Sequence, residues 1–325
     1  MATIKDIAKK VNVSISTVSR VLNRDETLSV SSQVREQILL TAKELKYIPP
    51  KMRHASQSEE LIIGVADWHI VRKDRHNIDI AQLDNIVTMM SVQEQVRFVR
   101  MSRDEKREQL DGIIAFGNFT DEEIKTLRMQ SNHIVFINSR QDSYEFDTIV
   151  MDYDNGINSM IDYLVDYKDY RSIGYLGGIY NADGVTIGTT RLTSLKEVLT
   201  KRDMYCDKYF YIGEMSSESG RKMALKIIES GDIPEVLILG SDEIAEGALE
   251  VIKEHRLRIP KDVAVVIYKD IDTVKTKYPT YTRLDMLPRV VWTTSVNMLI
   301  EQIKEKREDS MKVFLSTKLQ LGDSA

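Results

Sequence analysis

The sequence predicts an α/β protein with an N-terminal head of three short helices, containing a helix-turn-helix, and a two-lobed body of parallel sheets flanked by helices. Three observations carry this. The first 48 residues repeat short apolar stripes at helical spacing, with only two residues left for the first turn. From Leu61 onward, short β-branched runs alternate with amphipathic stretches. The charge is also divided: residues 1–58 hold ten basic and five acidic side chains, so the head carries +5 and the remainder −10 of a total of −5. A basic head on an acidic body directs a polyanion such as nucleic acid to one end of the molecule.

In the head, Ile4, Ile7, Ala8 and Val11 form the inward stripe of a first helix. Asn12 and Val13 remain for a turn, and Val18, Val21 and Leu22 form the stripe of a second. The other face of that second helix carries Ile15, Ser16, Ser19, Arg20 and Asn23. It has short hydroxyls, one guanidinium, one amide and no acid, which suits base edges and phosphates better than a protein core. After the polar loop Arg24–Ser29, Ser31 or Ser32 can cap a third helix with Val34, Ile38, Leu39, Ala42 and Leu45 inward. Arg35 lies near its start, where a phosphate can be met, and Pro49-Pro50 stop it. Residues 49–60 read as a polar linker.

In the body, buried strands are expected at Leu61–Ala66, Gln95–Val99, Gly112–Phe116, His133–Ile137, Thr148–Met151, Ser172–Leu176, Lys208–Ile212, Val236–Leu239 and Val263–Ile267. Helices are expected over 79–91, 121–131, 155–168, 188–202, 217–230, 243–255 and 288–307. So many strands exceed one small sheet, so two lobes with a cleft are expected, and ligands gather at the carboxyl ends of such strands. The domain boundaries read as 1–48 for the head, 49–60 for the linker and 61–325 for the body. The first lobe would take about 61–152 plus 288–318, and the second about 153–287.

Several function classes are disfavoured. No run of eighteen apolar residues occurs, and the N-terminus lacks an apolar signal core, so a cytoplasmic protein is expected. Cys206 is the single cysteine, which excludes an internal disulfide and a Cys-rich zinc site. The five histidines, His54, His69, His76, His133 and His255, show no metal spacing, and no G-x-x-x-x-G-K-[ST] loop is present. The acids Asp121-Glu122-Glu123 sit at a helix start, where the dipole accounts for them. No enzyme, cofactor or metal is expected.

The segments Ile4-Lys5-Asp6-Ile7-Ala8, Val13-Ser14-x-Ser16-Thr17-Val18-Ser19-Arg20-Val21-Leu22-Asn23, Val30-Ser31-x-x-x-Arg35 and Leu45-x-Tyr47-Ile48-Pro49 together resemble the LacI/GalR family of bacterial repressors. The resemblance implies that Ile15 and Ser16 select operator bases and that Arg20 reaches a guanine. It gives Thr3, Ser14, Thr17, Ser19, Asn23 and Ser31 to the DNA backbone and Tyr47 to a phosphate at the end of the head. In the family the linker folds on the operator as a hinge helix, with a leucine wedged into the minor groove. This sequence keeps Arg53 and Ala55 but has Ser56-Gln57-Ser58 where that leucine is expected.

More thinly, Val150-x-Asp152-x-x-x-Gly156, Ile173-x-Tyr175-Leu176-Gly177-Gly178, Gly240-Ser241-Asp242-Glu243-Ile244-Ala245 and Leu257–Val266 continue the resemblance through the body, which is similar to periplasmic sugar-binding proteins. By carry-over, Arg191 matches the effector arginine, with a surface ion pair as the alternative. Ser241 and Asp242 match an Asn-Asp pair, although Asp242 can equally cap a helix starting at Glu243. Asp152 ends the strand that crosses between lobes. Asp67 and Trp68, just past the first body strand, offer an acceptor and either a stacking face or plain packing. Lys269 stands where the family often has an acid, so the ligand presents an acceptor there or Asp270 takes the role. The resemblance implies a dimeric repressor of a sugar-utilisation operon that binds a palindromic double-stranded operator. A small sugar (galactose or a galactoside) in the cleft would modulate it. A sugar phosphate, or co-repression instead of induction, stays open beside this.

Overall fold

The computed structural model describes residues 3–22, 28, 30–45, 47, 60–68, 96–102, 110–139, 145–182, 185–269 and 277–325. The head comprises α1 (Ile4–Val11), α2 (Ile15–Leu22) and α3 (Ser32–Glu44). At the start of α1 the Thr3 backbone N–H donates to the Asp6 carboxylate at 2.7 Å. The helix ends at Asn12 in the left-handed conformation (φ 56°), which asparagine tolerates. Ser14 Oγ then accepts the Thr17 N–H at 3.0 Å and starts α2. Of the two serines able to cap α3, Ser31 does so: its Oγ accepts the Val34 N–H at 3.2 Å. Ile7, Val18 and Ile38, one from each helix, are fully buried and form a separate small core with Ala8, Val21 and Ala42. Val34, Leu39 and Leu45 pack around it as their spacing predicts. Asn23, Arg53 and most of the linker lie outside the described residues.

The first part of the body contains β1 (Leu61–Ala66), β2 (Val96–Arg100), β3 (Gly112–Phe116), α4 (Asp121–Arg128), β4 (Ile134–Ile137) and β5 (Asp147–Asp152). Next come α5 (Tyr153–Asp162), which continues as a π-helical turn over Tyr163–Tyr167, then β6 (Ile173–Ala182), β7 (Val185–Ile187) and α6 (Thr189–Lys201). The chain goes on through a 3-10 turn at Asp207–Tyr209, β8 (Phe210–Glu214), α7 (Ser217–Glu229), β9 (Val236–Leu239), α8 (Asp242–Glu254) and β10 (Ala264–Lys269). It ends with β11 (Thr282–Asp285), α9 (Pro288–Glu305), β12 (Lys312–Ser316) and β13 (Lys318–Gln320).

These strands make two sheets. The first has the order β12-β5-β4-β3-β1-β2 with every pair parallel. The second runs β13-β11-β10-β9-β6-β7, with β8 also on β6; its interior pairs are parallel, and β13 and β7 add antiparallel. The chain passes between lobes at three places: β5 into α5, β11 into α9, and β12 into β13. Strands such as β3, β4, β9 and β10 are buried throughout, which is why they read as continuous apolar runs. One buried cluster joins Ile63 and Ile114 of the first sheet to Ile238 and Val266 of the second through Met160, Leu195 and Trp292. Separate clusters cover the opposite face of each sheet.

Helices α7 and α8 approach closely enough to require glycine. A Cβ on Gly247 would lie 1.8 Å from the Ser217 carbonyl oxygen. No helix among the described residues is long and apolar enough to cross a membrane.

Several expectations shift. The helix expected over 155–168 starts at Tyr153 and gives way to the π-helical turn after Asp162. The strand expected at Lys208–Ile212 begins as a 3-10 turn, so β8 lies two residues later. Strands β7, β11, β12 and β13 are short, three to five residues each, and stand apart from the expected strands. The helix expected over 79–91 lies outside the described residues.

Candidate nucleic-acid interface and effector cleft

On the head, α2 turns Val18 and Val21 into the core and leaves Ser14, Ile15, Ser16 and Arg20 exposed, with Thr17 and Ser19 at the margin. Ile15 is 45% exposed, so its side chain is available to a thymine methyl in a groove. The Ser14 hydroxyl lies 2.7 Å from both Ser16 Oγ and Thr17 Oγ1, so three hydroxyls are clustered at the helix start, where backbone N–H groups also favour phosphate. Thr3 and Ser31 are exposed at the starts of α1 and α3. Tyr47 is half-buried against the head core. The structure therefore gathers Ile15, Ser16, Thr17, Ser19 and Arg20 on one short helix, with Ser14 immediately before it.

Between the lobes lies a cavity of about 220 Å³. The first lobe contributes Asn118, Asn138 and Ser139, the crossing Tyr153, and the second lobe Thr186 through Arg191. Most of the described lining side chains are amides and hydroxyls, with Ile187 and one guanidinium beside them. Arg191 sits in the first turn of α6, which follows Gly188. Gly188 has φ +99°, and a Cβ there would lie 2.4 Å from the Gly178 carbonyl oxygen, so only glycine lets α6 start where it does. The Arg191 Nη1 donates to the Gly240 carbonyl at 2.9 Å, and the guanidinium lies 5.9 Å from the Tyr268 ring centroid. Arg191 is thus oriented from behind by β9 and β10. Asn138 (φ 59°) closes β4 and donates from Nδ2 to the Tyr153 hydroxyl at 3.3 Å.

The other sequence candidates stand outside the lining of this cavity. The Asp67 carboxylate is 1% exposed and is bonded by Arg100 at 2.9 Å. Trp68 was open to two uses, and the structure uses it for packing: its indole is buried, donates to the Met101 carbonyl at 3.0 Å and meets Phe119 edge-on. Asp152 caps α5 by accepting the Asn155 N–H at 3.2 Å. The cap of α8 is Ser241, whose Oγ accepts the Ile244 N–H at 3.2 Å, so Asp242 is the first helical residue and not the cap. Lys269 is buried at the end of β10 with Nζ 3.9 Å from Asp285. Asp270 lies outside the described residues.

Asn118, Asn138, Tyr153 and Thr186 were missed by sequence reasoning. The available signal was position: Asn118 and Asn138 follow the carboxyl ends of two parallel strands, where ligands collect. A larger, open groove of about 600 Å³ lies on the outer side of α8, away from the cleft.

Beneath the cavity, Tyr268 is fully buried and its hydroxyl has no hydrogen-bond partner among the described residues. Burial, first of all, pushes the phenol well above its ordinary range, so it stays neutral. Tyr268→Phe is therefore expected to raise stability by about 1 kcal/mol, read from urea denaturation. A loss of stability would show that the hydroxyl has a partner.

Comparison with known proteins agrees with this arrangement. Residues 3–50 match the model for bacterial regulatory proteins of the lacI family, and residues 161–325 match that for the periplasmic binding protein-like domain. The chain is 30% identical to the HTH-type transcriptional regulator GanR of Bacillus subtilis (strain 168), over 98% of each chain. It is 29% identical to the transcriptional repressor MelR of the same organism, over 93% of this chain and 92% of that protein. It is 28% identical to the regulator GalR of Streptococcus thermophilus, over 100% of this chain and 99% of that one. Among solved structures, the Lac repressor bound to ONPG has the same fold (TM-score 0.64, 21% identity, 100% of this chain and 99% of that one). So does the CelR–cellobiose complex (TM-score 0.63, 18% identity, 100% of both). Head, cleft and relatives together show that the chain belongs to the LacI family of bacterial transcriptional regulators.

Proposed function

We propose that this regulator represses a sugar-utilisation operon, binding a palindromic operator as a dimer through Ile15, Ser16 and Arg20. Thr3, Ser14, Thr17, Ser19, Asn23, Ser31, Tyr47 and Arg53 would hold the DNA backbone. A small neutral sugar between the lobes then lowers operator affinity. The observation that carries the effector half is the cavity wall: amides and hydroxyls from both lobes converge on a pre-oriented arginine, which is how a polyol is recognised. Lys269 left a phosphorylated or acidic sugar open beside a neutral one. It is not among the described residues of that wall and lies 3.9 Å from Asp285, which favours the neutral reading. The regulatory half rests on linkage: if operator and sugar prefer different lobe arrangements, each weakens the other by the same factor.

The test begins with selection of duplexes from a random pool by the full-length protein, followed by anisotropy on the enriched sequence. A two-fold symmetric site is expected, with half-sites about one helical turn apart. No enrichment over random DNA would defeat the proposal. Arg191→Ala is expected to weaken sugar binding about 10- to 100-fold by calorimetry while operator affinity holds. Unchanged sugar binding would remove Arg191 from the site.

A further inference from the structure

The strand β6 continues past its parallel partners. Residues 173–179 pair with β8 and β9, whereas Tyr180, Asn181 and Ala182 pair antiparallel with Ile187, Thr186 and Val185 of β7. The result is an antiparallel hairpin pair at the end of the second sheet, and its Thr186 and Ile187 line the cleft. Its base is fixed by Gly188, whose backbone approach to Gly178 admits no side chain. Within it, Thr186 Oγ1 lies 3.3 Å from Asn181 Oδ1. On the opposite lobe, Gly117 in the left-handed conformation (φ 93°) ends β3 and presents Asn118. The Asn118 Nδ2 crosses the cleft and donates to the Thr186 carbonyl at 2.8 Å. Both residues line the 220 Å³ cavity. The bond therefore ties one lobe to the other at the edge of the space that a ligand would fill.

We propose that the Asn118–Thr186 bond is a size gate, holding the cleft to a single-ring polyol and opening only at a cost for a two-ring sugar. This rests on reading the cleft as a sugar site. Three features favour it. The cavity lies below the range of about 300–1,000 Å³ that holds larger ligands. Among the described lining residues only Arg191 is charged, so uncharged hydroxyls are the natural complement. The acceptor is a backbone carbonyl on a hairpin with a fixed base, so the gate is released by losing the amide donor and not by a side-chain rotation of Thr186. A two-ring sugar must break the bond without replacing it, whereas a single ring leaves it in place.

Calorimetry on the full-length wild type, Asn118→Ala and Asn118→Asp tests this, with galactose, glucose, mannose and ribose set against lactose and melibiose. The wild type is expected to bind its best monosaccharide at least about tenfold more tightly than either disaccharide. Both variants are expected to narrow that ratio about three- to tenfold, with melting temperatures close to wild type. Asn118→Asp keeps the side-chain shape but replaces the donor with a carboxylate. Two results overturn the gate and leave the sugar reading standing: a disaccharide bound by the wild type as tightly as any monosaccharide, or a ratio unaltered in both folded variants. No binding of any sugar by any of the three proteins overturns the sugar reading, and the gate falls with it.

Discussion

Arg20→Ala is expected to weaken operator binding by about 1–3 kcal/mol for each head and to relax the preference at one base pair of each half-site. Arg20 is exposed near the end of α2, whose other face is locked into the head core by Val18 and Val21. It is the one long cationic side chain on that helix; the other outward groups are short hydroxyls and Ile15. Short arms reach bases only if the helix lies deep in the groove, and Ile15 can read a methyl but cannot donate a hydrogen bond. Discrimination by bidentate hydrogen bonding thus falls on Arg20. The measurement is anisotropy on the selected operator and on duplexes mutated one pair at a time. Sugar affinity of the same variant is expected to be unchanged, because the head and the cleft have separate cores. Undiminished operator affinity would show that another residue reads the site.

Arg307→Ala is expected to cost about 3–5 kcal/mol of stability. Asp147 opens β5 and is completely buried, and Arg307 reaches it from beyond α9 with a two-pronged contact, Nη1 to Oδ1 at 3.0 Å and Nη2 to Oδ2 at 2.5 Å. The same carboxylate accepts the Met311 N–H at 2.8 Å, just before β12, and Arg307 Nε also donates to Glu301 at 3.1 Å. The Asp147 hydrogen bond, first of all, pushes the Arg307 guanidinium above its ordinary range, so it remains charged. Removing it strands a buried carboxylate and frees the return of the chain onto the sheet edge. Arg307→Lys keeps the charge and loses the fork, so an intermediate loss is expected. Urea denaturation reads both, and an alanine variant as stable as wild type would show that the pair contributes nothing net.

How far the molecule can be read from its sequence depends on how local each signal is. The head helices are legible because Ile7, Val18 and Ile38 belong to stripes only a few residues long, bounded by Asn12, Ser14 and Ser31. The buried parallel strands are legible for a related reason: burial on both faces forces continuous apolar runs. Strands β12 and β13 are not, because they form at sheet edges and depend on partners far away in sequence, such as β5 and β11. The cleft divides in the same way. Arg191 is found by its resemblance to relatives. Asn118, Asn138 and Tyr153 carry no motif, and only the packing of two lobes brings them together. The two uses of Trp68 were inseparable in sequence, since a stacking plate and a core indole look alike until the Met101 carbonyl is found beside its N–H.

The central claim is that one chain couples sugar in the cleft to the affinity of the head for its operator. The most direct measurement is the operator dissociation constant of the full-length protein with and without a saturating monosaccharide, paired with the sugar dissociation constant with and without operator. Both are expected to change by the same factor, with sugar lowering operator affinity. Sugar that binds while leaving operator affinity unchanged would contradict it.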